Sequence, residues 1–74
     1  MSYDYSKLKG RIAEKCGTQT ALAKEIGWSE RTLSLKLNGK IAFSQSDIED
    51  MMRVLDIKRK DIQAYFFTVD VQAN

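Results

Sequence analysis

Apolar residues recur along this chain at three- and four-residue intervals, interrupted at regular distances by Gly, Ser and Thr. That period places them on one stripe of a helix, with the intervening polar residues on the other side. Residues 5–16 form the first such segment: Tyr5, Leu8, Ile12 and Cys16 share a face, while Lys7, Lys9, Arg11, Glu14 and Lys15 fill the rest. Gly10 lies inside it at a cost of about 1 kcal/mol relative to Ala, either to admit a close neighbour or simply tolerated. Gly17 follows as a left-handed C-terminal residue. Thr18 caps a second helix over 19–26, whose apolar face is Ala21, Leu22, Ala23 and Ile26, and Gly27 stops it. Ser29 caps a third over 30–37, with Leu33 and Leu37 inward, closed by Asn38-Gly39. Ser44 or Ser46 caps a fourth near 46–55, carrying Ile48, Met51, Met52 and Leu55. After Ile57 a fifth covers 59–66, with Ile62, Tyr65 and Phe66 inward. Thr68-Val69-Asp70-Val71 alternates as a short strand would. The expectation is one all-α domain over residues 1–74, with five short helices and a tail at 68–74.

Residues 18–38 are the distinctive part. Two short helices joined by a tight turn form a helix-turn-helix. Its turn needs a residue that accepts positive φ, which Gly27 does without Cβ strain. Small Ala21 and Ala23 let the second helix cross close beneath the third. With Leu33 and Leu37 inward, the third helix leaves Glu30, Arg31, Ser34, Leu35 and Lys36 facing outward.

Charge sharpens the picture. The net charge is only +2, but residues 1–40 carry eight Lys/Arg against four Asp/Glu, residues 41–57 one against four, and residues 58–74 three against two. A basic front half followed by an acidic segment suits a molecule with one anion-facing side. Asp47, Glu49 and Asp50 fall at the start of the fourth helix, where carboxylates favour the positive end of the dipole. Lys58-Arg59-Lys60 reads as a solubilising turn, and Met51 and Met52 as core.

Length and composition exclude several classes. A 74-residue chain hides only about 60% of its unfolded surface, which leaves no room for a deep catalytic pocket beside a core. There is no histidine and one cysteine, hence no metal-ligand set or internal disulfide, and no Gly-rich phosphate loop. Cys16 is expected as a small buried apolar residue in a reducing compartment. No apolar run is long enough for a membrane span, and the first residues lack a secretory pattern. No enzyme activity, cofactor, membrane or small-molecule ligand is expected.

Thr18-Gln19, Leu22-Ala23, Gly27, Ser29, Thr32-Leu33-Ser34 and Asn38-Gly39-Lys40 match in order and spacing the Cro/C1-type helix-turn-helix family of phage and bacterial regulators. The later run "LDIKRKDIQAYFF" resembles a subgroup of short phage proteins from Gram-positive hosts. The resemblance covers about residues 5–66 and implies a compact five-helix, lambda-repressor-like DNA-binding domain. Two departures stand out. The stretch Cys16-Gly17-Thr18 is about one residue shorter than usual, and Trp28 replaces a small β-branched residue.

Carried over by position, the resemblance implies that Gln19 touches the phosphate backbone and braces the third helix. Glu30, Arg31 and Leu35 would reach base edges, Thr32, Asn38 and Lys40 would sit against phosphates, and Ser29 and Ser34 would belong to the same DNA-facing set. Arg31 can donate two parallel bonds to guanine, a discrimination of about 1–3 kcal/mol. Glu30 can accept from cytosine or orient Arg31, and Leu35 suits a thymine methyl. Lys36 and Lys40 would add sequence-independent attraction.

Two functions follow as expectations. The first is a phage or prophage regulator of the lysogeny–lysis switch, working in the host cytoplasm at the nucleoid. It would bind double-stranded operator DNA as a homodimer, with recognition helices about 34 Å apart. The second is an antirepressor or modulator that binds a partner phage repressor. Trp28 and Leu35 would then face outward, and Glu30 with its basic neighbours would occlude the repressor's DNA-reading surface. Trp28, Phe66, Phe67 and Val69 are the candidate partner or dimer contacts, with the dimer surface at Phe66/Phe67 and the 68–71 strand or, as the alternative, at the end of the third helix with residues 38–43. Because Phe66 and Phe67 are adjacent, one is expected in the core and the other at an interface.

Overall fold

A computed structural model describes residues 3–69. Five α-helices follow one another: α1 (Ser6–Cys16), α2 (Gln19–Ile26), α3 (Glu30–Leu37), α4 (Gln45–Leu55) and α5 (Ile62–Phe66), with a 3-10 turn at Arg59–Asp61 before α5. The fifth element is therefore shorter than the periodicity suggests, because its first three residues take the tighter turn. The alternation at 68–71 yields a single antiparallel bridge, Tyr3 to Val69, and no strand among the described residues. Asp70 and Val71 lie outside them.

Local chemistry sets the helix ends. Thr18 accepts from the N–H of Ala21 and Ser29 from that of Thr32, each satisfying a donor that the helix itself cannot. At α4 the cap is Ser44. Its hydroxyl accepts from Asp47 N while Asp47 Oδ2 accepts from Ser44 N, a reciprocal capping box. At the other end of α4, Asp56 is left-handed (φ 53°). Gly10 is tolerated and admits no neighbour: a Cβ built there meets nothing within 4 Å.

The core takes two residues from each of the first four helices, Leu8 and Ile12, Leu22 and Ala23, Leu33 and Leu37, Met51 and Leu55, closed by Ile57 and Phe66. These are the inward positions of the sequence pattern. Arg11 adds a tie that the pattern does not reveal. Its guanidinium donates to the carbonyls of Leu55 at 2.9 Å and Asp56 at 3.0 Å, so a cation from α1 satisfies the carbonyl end of α4. The N-terminal residues of α3, Glu30 and Arg31, are left outward.

Candidate functional site

Gly27 (φ 90°) turns the chain between α2 and α3 and brings Gln19 and Thr20 beside Glu30, Arg31 and Ser34 around a shallow polar cleft of about 360 Å³. Gln19, Arg31 and Ser34 are exposed there, and Asn38 and Lys40 are exposed beyond the end of α3. Several neighbours are already engaged within the fold. Thr20 Oγ1 donates to Glu30 Oε1 at 3.0 Å, which ties the start of α3 to α2. Ser29 donates its hydroxyl proton to Thr32 Oγ1 at 2.9 Å while capping the helix. Asn38 Nδ2 donates to Ser34 Oγ at 3.3 Å. Leu35 is half-buried, and its carbonyl accepts from the N–H groups of Lys40 and Ile41.

Lys36 stands differently from the sequence expectation. Lys36 is withdrawn from solvent, its side chain 12% exposed. Its Nζ donates to Asp47 Oδ2 at 2.6 Å and to the Ala42 carbonyl at 3.3 Å, and lies 5.5 Å from the Trp28 ring centroid. Trp28, which the sequence leaves either packed over the second helix or exposed, is half-buried against the core. Its size and the cation above it draw the indole inward. Partial burial works to raise the Asp47 carboxyl, but the bonds from Lys36 and Ser44 outweigh it and hold the group below its ordinary range.

A second surface lies beyond the C-terminal end of α3. Among the described residues, the large apolar side chains most open to solvent are Tyr3 (46%), Ile41 (42%), Phe67 (42%) and Val69 (41%). Tyr3, Ile41 and Phe67 edge one groove of about 290 Å³, walled by Tyr5, Phe43 and Phe66, and Val69 pairs with Tyr3. The rings form a continuous chain: Phe67 to Tyr3 at 5.7 Å, Tyr3 to Tyr5 at 6.4 Å, Tyr5 to Phe43 at 5.3 Å and Phe43 to Phe66 at 5.4 Å between centroids. A further hollow of about 330 Å³ continues past Phe43 and Phe67 toward Met52 and Ile62. Phe66 is 1% exposed, so it is a core residue and not an interface residue, and only Phe67 of the pair is open to a partner. Burial raises the Tyr5 hydroxyl above its ordinary value, with Tyr3 adding to the effect.

Tyr3 is the groove residue missed from sequence, while Ile41 and Phe43 fall in the 38–43 stretch expected as the alternative dimer contact. The signal for Tyr3 was present as aromatics just before α1 that helical spacing does not explain. Among the described residues no group of His, Cys, Asp and Glu could hold a metal ion, and no helix is long and apolar enough to cross a membrane.

This compact bundle of five short helices is the fold of a small all-α phage regulator. It matches the solution structure of the modulator of repression (MOR) of the temperate bacteriophage TP901-1 from Lactococcus lactis with a TM-score of 0.82 and 52% sequence identity, over 90% of each chain. The chain belongs to the family described as "Protein of unknown function (DUF739)", which matches residues 1–69. A comparison with curated proteins returns no match.

Proposed function

We propose that this chain is a phage modulator that binds a repressor protein and alters its hold on operator DNA, docking through the aromatic face at Tyr3, Ile41, Phe67 and Val69. The observation that carries the reading is the gathering of the four most exposed large apolar residues on one face. A monomer of this size gains nothing by wetting such a patch, and patches of this kind mark protein contacts. Aromatic side chains concentrate binding energy at protein interfaces, whereas a duplex rewards cations and base-edge donors. The 52% identity to a modulator of repression supports the same class. The docking surface thus shifts from Trp28 and Leu35, both half-buried, to the aromatic groove beyond the end of α3. The reading needs no catalysis, cofactor or small ligand, and places the protein with its repressor in the host cytoplasm.

Calorimetric titration of the repressor encoded beside it tests this. Phe67→Ser and Ile41→Asp should each weaken binding by about tenfold or more, as truncation at an interface anchor does, while Arg31→Ala leaves it within about twofold. Tight binding that survives both apolar changes and fails with Arg31→Ala would move the partner to the α2–α3 face.

A second reading has its own observation. Gln19, Arg31 and Ser34 remain exposed around the α2–α3 cleft, the arrangement that the Cro/C1-type resemblance assigns to operator contact. In that reading Arg31→Ala abolishes sequence preference, and a homodimer through Phe67 and Val69 sets the half-site spacing.

A further inference from the structure

The α2–α3 face carries exposed Lys24, Arg31 and Lys40 beside exposed Glu25 and Glu30. Lys36 lies on the same helix but on its α4 flank, where a free ammonium would add a fourth cation beside these three. Its ammonium instead turns toward α4, where Asp47 Oδ2 meets it at 2.6 Å and the Ala42 carbonyl and Trp28 ring enclose it. Asp47 is itself held firmly: Ser44 N donates to the same oxygen at 2.9 Å, and both side chains are largely covered, at 12% and 17% exposure. A carboxylate oxygen meeting an ammonium at this distance makes the charge-assisted bond that a phosphate oxygen would make. The cation most firmly positioned beside this face is therefore satisfied internally.

We propose that the Lys36–Asp47 pair holds in check a latent duplex-DNA-binding activity of the α3 face, with the Asp47 carboxylate standing where a phosphate would otherwise engage Lys36. This goes beyond repressor binding and does not depend on the apolar groove. With the pair intact, a duplex must displace a short, covered ion pair before gaining that contact, so the face binds polyanions poorly. Without the carboxylate, the lysine's four-carbon stem swings free of Trp28 and Lys36 joins Arg31 and Lys40. The family chemistry of the helix is retained, while one acidic side chain eleven residues away decides whether it operates on DNA.

The test is an anisotropy titration of the full chain against a labelled random-sequence duplex of about 20 base pairs, from about 50 to 200 mM salt. Asp47→Asn keeps an acceptor for Ser44 N and should bind about tenfold more tightly at low salt, with a salt slope steeper by about 0.9 for the added phosphate contact. Lys36→Met in the same chain should return binding to the wild-type level. Asp50→Asn makes the same change of charge on α4 and frees exposed Arg53. It should change binding less than twofold. Emission from Trp28, the only tryptophan, should shift in Asp47→Asn as the cation leaves the ring, and circular dichroism verifies the fold. Should the amide variant not fold, Asp47→Ser provides the same test with a residue suited to a helix start. No gain in a folded Asp47 variant, an equal gain in Asp50→Asn, or a gain that survives Lys36→Met would overturn the proposal. Repressor titration of Asp47→Asn is expected to match wild type, so failure of the docking reading and failure of this one remain distinguishable.

Discussion

The two outward surfaces are built by opposite means. The α2–α3 face is polar and internally tied: Thr20 holds Glu30, Ser29 caps through Thr32, and Lys36 is bound to Asp47. The groove beyond the end of α3 is apolar and partly open, with Tyr3, Ile41, Phe67 and Val69 more than two-fifths exposed. A polar face can be satisfied by its own neighbours or by water, so its residues reveal little about a partner. An exposed aromatic face has no such internal remedy and costs free energy until something covers it. The contrast favours a protein over a nucleic acid as the main partner, even though the helix-turn-helix is the feature that meets the eye in the sequence.

The largest expected effect separates two adjacent residues. Phe66→Ala removes a fully buried ring and should destabilise by about 3–5 kcal/mol. That is comparable with the whole stability of a domain this size, about 4–11 kcal/mol. Phe67→Ala should stay within about 1 kcal/mol in thermal melts and yet remove repressor binding. Equal destabilisation by the two would mean that Phe67 is covered in the native fold, and the contrast between the faces would collapse.

Next in size is the tie between α3 and α4. Charge-assisted bonds of this kind contribute about 1.5–3 kcal/mol, and the sign of the pH dependence follows from the direction of the Asp47 shift. The carboxyl is held below its ordinary range in the folded chain, so its stabilisation is fully present above the unfolded value of about 3.9. It is lost as pH falls through the lower folded value. Between about pH 5 and pH 2 the wild-type melting temperature should therefore fall more steeply than that of Asp47→Asn. Parallel curves would show that the pair contributes nothing to the rigidity of the polar face.

The smallest effect lies away from both surfaces. Gly10 sits in exposed helix with space for a Cβ, so Gly10→Ala should raise stability by about 1 kcal/mol. Repressor and DNA titrations should not change. An altered partner affinity would extend one of the two surfaces onto α1.

Most of the fold was legible because its causes are local. Caps at Thr18, Ser29 and Ser44 act on N–H groups three residues away, and a helical stripe repeats within four residues. The inward positions Leu8, Ile12, Leu22, Leu33, Leu37, Met51 and Leu55 follow from that period and form the core. The site was legible in part. Arg31 and Gln19 are exposed and Phe66 is inward, as expected, while Lys36 is turned into the fold, because helical phase assigns a residue to a face but does not say what packs against it.

The chain by itself determined the caps and stops of the second and third helices, which positions turn inward, and that the turn at Gly27 requires a left-handed residue. Only the tertiary structure decided which charges are free and where the exposed aromatics meet. Arg11 reaches carbonyls forty-four and forty-five residues away, Lys36 reaches a carboxylate eleven residues on, and Tyr3 meets Phe67 edge to face from the opposite end of the chain. Such contacts depend on how whole helices pack, and no local period or cap encodes that distance.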